Sequence, residues 1–201
     1  MDKIRNYLKW DYFEEIILEK GFIYFNLYDL ERLFPPYDKA LKKFLTRKVK
    51  EGKLIRLKKN LYCLKRKIPS DYLIANLLYQ PSYLSLEFAL SYYSIIPETV
   101  YSITSVTSKP TREYVVEGKV FSYQTIKKRA FCGYLPRQTY GKTFLIATAE
   151  KTLADYLYFV SLGKKSLNDR TDWSKVDRKK VKTYLLDDFQ LNPLTVKKLI
   201  P

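Results

Sequence analysis

A single basic segment limits what this chain can fold into and what its surface can attract. Residues 39–67 contain thirteen lysines and arginines and one acidic residue, Glu51, so these 29 residues carry +12 of the net charge of +16. Charge at this density stays on solvent-exposed faces of the elements that carry it. The resulting field attracts polyanions, and a merely solvated basic face is the alternative interpretation.

The apolar residues of this segment first recur at helical spacing and then form two short runs. The helical stripe lies between about Tyr37 and Glu51 and predicts a helix that ends at Gly52. Its members are Ala40, Leu41, Phe44, Leu45 and Val49. The runs 54–57 and 61–64 predict two strands joined by Lys58-Lys59-Asn60, where Asn60 suits the left-handed conformation of a hairpin turn.

Two further helices are predicted before the basic one. Apolar spacing predicts the first over residues 5–20, closed by Gly21, and a short β-favouring stretch follows at residues 22–25. Asn26 is a typical N-cap residue for the second helix, which Pro35-Pro36 ends. The order helix, helix, basic helix, basic hairpin predicts a winged helix-turn-helix.

In such a domain the outer face of the third helix approaches the major groove, and the hairpin, or wing, contacts the flanking phosphates. A helical hairpin without a ligand is the alternative. The sequence therefore predicts that the first domain binds double-stranded DNA through Lys39, Lys42, Lys43, Thr46, Arg47, Lys50, Arg56, Lys58, Lys59 and Asn60.

The polar, proline-marked segment Lys65–Pro69 predicts a domain boundary. We expect a winged helix-turn-helix domain over residues 1–68 and an α+β domain over residues 69–201, in which helices precede a mainly antiparallel sheet and further helices follow it. Ser82 or Ser85 would cap the helix predicted over residues 85–94. Gly118 would form the turn of a hairpin between the strands 111–117 and 119–125. The helices are predicted over 71–79, 85–94, 149–162, 175–186 and 193–200, and the strands within 99–117, 119–125, 126–134 and 144–147.

Composition excludes several classes of site. The chain has no histidine and only two cysteines, Cys63 and Cys132. This excludes His-based nucleophile systems, nearly all catalytic zinc sites and a disulfide framework, and it favours packing thiols in a reducing compartment. The sequence also lacks a Gly-rich phosphate loop, a secretory signal and an apolar stretch long enough for a membrane helix. We therefore expect a cytoplasmic protein that is not an enzyme and holds no cofactor and no metal.

Two groups of acidic and lysine side chains remain as candidate sites. Glu117-Gly118-Lys119 has the Glu-x-Lys form of a Mg-dependent nuclease, although a solvated turn is favoured there. A second carboxylate for such a site would come from Glu98 or Glu113. Glu150, Lys151 and Asp155 begin a predicted helix, and we favour a structural role in which acidic residues complement the dipole and Asp155 pairs with Lys151.

The predicted helix over residues 175–186 has a basic face. Three interpretations stay open: a second nucleic-acid contact, a surface for an acidic partner, and a solvated face, which is the default for a run of charges. The residues are Lys175, Arg178, Lys179, Lys180 and Lys182.

Three segments together resemble the AbiEi-type antitoxins, the transcription-regulator half of abortive-infection toxin–antitoxin pairs. The first is the predicted wing, Leu54–Tyr62, in which Asn60 stands where the family usually has glycine. The second is Ser82–Pro97, with Tyr93-Ser94 where the family tends to have His-Gly. The third consists of Phe131-Cys132-Gly133 followed by Ile146–Tyr158. The last 40 residues lie outside the resemblance.

The resemblance implies a winged-helix DNA-binding domain, an α/β antitoxin domain and repression of the protein's own operon. We expect the operator to consist of inverted repeats, which would suit a dimer or two cooperating monomers, and the sequence does not fix the oligomeric state. It also implies a neighbouring gene for a nucleotidyltransferase toxin, and it leaves open whether the two proteins form a stable complex. The alternative functions are a Mg-dependent nuclease with a DNA-targeting winged helix, and a protein-interaction module with a non-specific basic arm.

Overall fold

The computed structural model describes residues 8–139 and 141–201. The chain divides after Ser70 into two compact units, and the junction predicted from the sequence falls between residues 68 and 69. The described residues form eight α-helices and nine strands in two sheets, so the protein is of the mixed α+β class. Within these two ranges, none of the helices combines the length and apolar character that crossing a bilayer requires.

The first unit contains three helices and a small antiparallel sheet in which β3 lies between β1 and β2. Helix α1 begins at Trp10, because Leu8 and Lys9 are not helical. Residues 5–7 of the predicted first helix lie outside the described part of the chain. The elements are α1 (Trp10–Glu19), β1 (Phe25–Asn26), α2 (Leu27–Leu33), α3 (Asp38–Lys50), β2 (Leu54–Lys58) and β3 (Leu61–Leu64).

Local side-chain chemistry fixes the ends of α2. The side chain of Asn26 accepts a hydrogen bond from the backbone N–H of Asp29, and the Asp29 carboxylate accepts one from the N–H of Asn26, both at 2.9 Å. This reciprocal capping box confirms the predicted N-cap and satisfies two N–H groups. Pro35 begins a short 3₁₀ turn that separates α2 from α3, as the Pro-Pro pair predicted.

Aromatic packing joins the three helices of the first unit to its sheet. The fully buried ring of Phe13 on α1 lies 5.3 Å from that of Phe34, 5.8 Å from that of Phe25 and 5.1 Å from that of Phe44, measured between centroids. Such pairs stabilise a core beyond the area they bury. The inner face of α3 is therefore fixed by the core, and its outer face is left to solvent.

The second unit is built on a six-stranded mixed sheet in the order β6-β7-β5-β4-β9-β8. Three of its five strand pairs are antiparallel, and the pairs β4–β9 and β5–β7 are parallel. The elements are α4 (Asp71–Leu78), β4 (Ser82–Leu84), α5 (Leu86–Tyr92), β5 (Ile103–Thr107), β6 (Arg112–Val116), β7 (Lys119–Thr125), β8 (Tyr134–Thr139), β9 (Lys142–Ala147), α6 (Ala149–Ser161), α7 (Arg178–Thr183) and α8 (Pro193–Leu199).

Helices cover both faces of this sheet. On one face, α4 packs against the strands, and the Tyr123 hydroxyl donates a 2.5 Å hydrogen bond to the carbonyl of Ala75. On the other face, α5 and α6 form a continuous core with α7, α8 and the π-helical turn Tyr184–Asp188. The turn between β6 and β7 has φ of +50° at Glu117 and +76° at Gly118, which confirms the predicted hairpin.

Three sequence predictions for the second unit are wrong. No strand spans residues 126–134: Ile126 and Ala130 are buried, but Lys127, Lys128 and Arg129 between them are all exposed, and a strand would alternate. A 3₁₀ turn, Lys128–Ala130, replaces it. The helix predicted over 175–186 begins at Arg178 and gives way to the π-helical turn. Neither Ser82 nor Ser85 caps α5, although Ser85 occupies the N-cap position.

Candidate nucleic-acid interface

The outer face of α3 is a continuous row of exposed polar and basic side chains. A surface depression of about 440 Å³ lies among them. Exposure here follows from the helical period, because Leu41, Phe44 and Leu45 on the opposite side are buried in the core. Ala40, which the stripe assigns to the apolar side, is exposed. The row consists of Lys39, Lys42, Lys43, Thr46, Arg47 and Lys50.

One lysine of α3 is turned away from this row. Lys48 is only 8% exposed, and its ammonium lies 5.7 Å from the ring centroid of Trp10 and 5.6 Å from that of Phe44. It donates a 2.6 Å hydrogen bond to the Glu51 carboxylate. This bond, with the charges of Lys48, Lys53 and Arg47, holds the pKa of Glu51 below its usual value. Lys48 therefore does not belong to the basic face.

Arg47 and Thr46 are held in place by neighbours on their own helix. The Nε of Arg47 lies 3.7 Å from the Glu51 carboxylate, and its guanidinium lies 5.8 Å from the Phe44 ring centroid. The Thr46 hydroxyl donates a 2.9 Å hydrogen bond to the carbonyl of Lys42. Its lone pairs remain able to accept from a base amino group, and its methyl group is suited to contact with thymine.

The β2–β3 hairpin carries the remaining predicted contacts. Arg56 lies opposite Tyr62 in the ladder, and a bulge follows it, so that Lys58 pairs directly with Leu61. Arg56, Lys59 and Asn60 are exposed, and Lys58 is half-buried. Asn60 has φ of +61°, as the sequence predicted for the turn. The first unit thus contains all ten predicted site residues, six on α3 and four on the hairpin.

The left-handed backbone of Asn60 gives a stability prediction for the hairpin. Asn60→Val is expected to lower the free energy of unfolding of the first unit by about 1–2 kcal/mol, because a β-branched residue is strained at this φ. Asn60→Gly is expected to be tolerated. Urea denaturation in a Trp173→Phe background measures this, since Trp10 is then the only tryptophan. Equal stabilities for the two variants would contradict the assignment of strain.

Two of the side chains considered for a nuclease, Lys119 and Glu98, are paired with other charged residues. Glu117 is exposed at the β6–β7 turn, and the Lys119 ammonium pairs with Asp71 at 2.6 Å. The Glu98 carboxylate lies 3.3 Å from Arg170. Across residues 8–139 and 141–201, no three His, Cys, Asp or Glu side chains group as they would around a metal ion.

The sequence missed a buried polar network in the second unit. The predicted pair of Lys151 and Asp155 forms, but both side chains are fully buried and not at a solvated helix start. The Asp155 carboxylate also accepts hydrogen bonds from the hydroxyls of Ser85 at 2.7 Å and Tyr83 at 3.2 Å. Burial raises the pKa of Asp155, and the contacts of Lys151, Ser85 and Tyr83 oppose this effect. The pKa of Tyr83 is also raised, by burial first and by the charge of Asp155 second.

Parts of the chain far from one another enclose this network. The Lys151 ammonium lies 4.5 Å from the ring centroid of Phe189, which follows the π-helical turn. Gly133, with φ of +70°, packs so closely that an added Cβ would lie 2.7 Å from the Tyr184 hydroxyl oxygen and 3.0 Å from Cγ of Lys151. Helical spacing indicated the Lys151–Asp155 pair, but no local pattern indicated that it would be buried.

No protein-family model matches the chain, and no curated protein is significantly similar to it. Inference about function therefore depends on the geometry of the two units and on the three sequence segments described above.

Proposed function

We propose that this protein is a sequence-specific repressor that binds double-stranded DNA through its first unit. The observation that carries the proposal is the outer face of α3, where exposed Lys42, Lys43 and Arg47 lie in one row while the core holds the opposite side of the helix. Such a face can place an arginine against guanine and lysines against phosphates, because Arg binds the guanine edge in bidentate fashion. A helix of this kind fits the major groove.

The order of elements supports a winged helix-turn-helix assignment. Helices α2 and α3 are joined by a short turn, and the β2–β3 hairpin follows directly and pairs with β1. In this assignment α3 is the recognition helix, and the hairpin is a wing that holds phosphates with Arg56, Lys58 and Lys59. Asn60 supplies the turn at its tip.

The proposed biological role is that of the antitoxin of a toxin–antitoxin pair that represses its own operon. The resemblance to AbiEi-type antitoxins supports this role. Two of the resembling segments contribute to the buried network: Tyr83 and Ser85 come from the second segment, and Gly133, Lys151 and Asp155 from the third. The expected partners are inverted repeats in the protein's own promoter and a nucleotidyltransferase toxin.

The proposal is tested by titrating the full chain against a fluorescent duplex of its own upstream region, without divalent metal, at two salt concentrations. A scrambled duplex of the same length is the control. We expect tighter binding to the upstream duplex, with a logarithmic salt dependence of about −0.9 per phosphate contacted. Equal and weak binding to both duplexes would contradict a sequence-specific repressor.

A further inference from the structure

The second unit has a basic surface of its own, which the sequence showed only in part. A 3₁₀ turn, Trp173–Lys175, precedes α7. The turn and α7 carry exposed Lys175, Arg178, Lys179, Lys180 and Lys182, and α8 carries exposed Lys197 and Lys198. The Arg178 guanidinium donates a 2.9 Å hydrogen bond to the carbonyl of Pro201, just beyond α8. This contact brings together two basic segments that are separate in the sequence, and we call the seven side chains the α7–α8 surface.

The two acidic residues next to the basic side chains at the start of α7, Asp172 and Asp177, are engaged in local hydrogen bonds. The Asp177 carboxylate accepts hydrogen bonds from the backbone N–H groups of Lys179 and Lys180, at 2.8 and 3.3 Å, and caps α7. Asp172 accepts two hydrogen bonds from Ser174, which hold its pKa below the usual value, with a smaller effect from the charge of Lys175. In the described part of the chain, the five side chains at 179, 180, 182, 197 and 198 make no ion pair with a carboxylate.

The residue types indicate which partner such a surface fits. All six residues of this surface besides Arg178 are lysines. Lysine is depleted from protein–protein interfaces but is a common ligand for phosphate. Binding of single-stranded nucleic acid depends on exposed aromatic rings on which bases stack. Trp173, the ring that the Arg178 guanidinium contacts at 5.6 Å, is partly buried and does not offer an open face for stacking.

We propose that the α7–α8 surface binds the phosphate backbone of duplex DNA and adds a sequence-independent contact to that made by the first unit. The choice of duplex DNA depends on the proposed function, but the charge and geometry of the surface do not. Lysine charges without carboxylate partners release counterions when they contact phosphates, so the contact increases affinity for every sequence alike and strengthens the salt dependence.

The test compares salt dependence in the full chain for the double variants Lys179→Ala/Lys182→Ala and Lys197→Ala/Lys198→Ala. Arg178 is kept because it joins α7 to the end of α8. Each pair is expected to reduce the slope of log affinity against log salt by up to about 1.8, at about 0.9 per phosphate. The loss of affinity is expected to be equal for the upstream and scrambled duplexes. Because these lysines are exposed, replacing them with alanine is expected to leave the fold intact. Thermal melting of each variant checks this.

The matched control, Lys142→Ala/Lys164→Ala, removes the same charge from exposed positions of the second unit outside this surface. A slope change no larger than in this control would overturn the proposal. The same variants are also titrated against one strand of the upstream duplex, and a greater loss of affinity for this single strand than for the duplex would also overturn the proposal. If variants of α3 weaken binding and those of α7 and α8 do not, only this proposal fails. If neither set has an effect, the proposed function fails too.

Discussion

Arg47→Ala is expected to lower affinity for the upstream duplex by about 1–3 kcal/mol, which is roughly 5- to 150-fold. The loss on a scrambled duplex is expected to be much smaller, because a base contact distinguishes sequences and a phosphate contact does not. Equilibrium titration of both duplexes at one salt concentration measures the difference. Lys58→Ala/Lys59→Ala on the hairpin is expected to weaken binding to both duplexes alike.

The control for Arg47 is Lys53→Ala. Lys53 is exposed, carries the same charge and contacts the same Glu51 carboxylate, at 4.0 Å, but its ammonium lies over the Trp10 ring and is not part of the α3 row. Each variant removes one positive charge, so the two reduce the long-range electrostatic attraction for DNA equally. Equal losses for Arg47→Ala and Lys53→Ala on both duplexes would show that only net charge matters, and base recognition by α3 would have to be abandoned.

The parts of the fold that the sequence predicted correctly depend on short-range chemistry. The capping box of Asn26 and Asp29 spans three residues, and the turns at Asn60 and Gly118 depend on backbone conformations that few residues adopt. The buried stripe of α3 follows from a repeat of 3.6 residues along a single helix. All of these signals lie within one or two turns of the residues they describe.

The features that the sequence did not reveal depend on residues that are distant along the chain. Lys48 appeared to be one more basic residue, but Trp10 on α1 and Phe44 shield it and Glu51 pairs with it. Ser85 has the chemistry of a helix cap, yet its hydroxyl bonds to Asp155, 70 residues away. A side chain with two competing partners cannot be assigned from sequence spacing, because tertiary packing decides which partner is near.

The strand wrongly predicted over residues 126–134 shows a second limit. The segment contains apolar residues at both ends, and composition alone allows a strand. Three consecutive charged residues, Lys127, Lys128 and Arg129, would place at least one charge on the buried face of a sheet, and a 3₁₀ turn keeps all three exposed. The lack of alternation between apolar and polar residues therefore argues against a strand here, although the apolar content of the segment allows one.

Asp155→Asn is expected to lower the free energy of unfolding of the second unit by about 3–5 kcal/mol. The substitution keeps the size of the side chain but leaves the ammonium of Lys151 buried without a counter-charge, surrounded by the rings of Phe189, Tyr184 and Tyr83. Urea denaturation in a Trp10→Phe background measures this loss, because Trp173 then reports on the second unit alone. Glu150→Gln, on the same helix but only partly buried, is the control and is expected to change stability by less than about 0.5 kcal/mol.

A double substitution separates the role of charge from that of packing. Lys151→Met/Asp155→Leu removes both charges and keeps most of the volume, so it is expected to be less destabilising than Asp155→Asn alone, because a buried pair gains little over apolar residues once both desolvation costs are counted. Equal losses would mean that the hydroxyls of Ser85 and Tyr83, which lose their acceptor only in the double variant, cost as much there as the unpaired ammonium costs in Asp155→Asn. A loss below about 1 kcal/mol for Asp155→Asn would mean that water or a rearranged side chain reaches Lys151, and that its buried charge does not determine the stability of the unit.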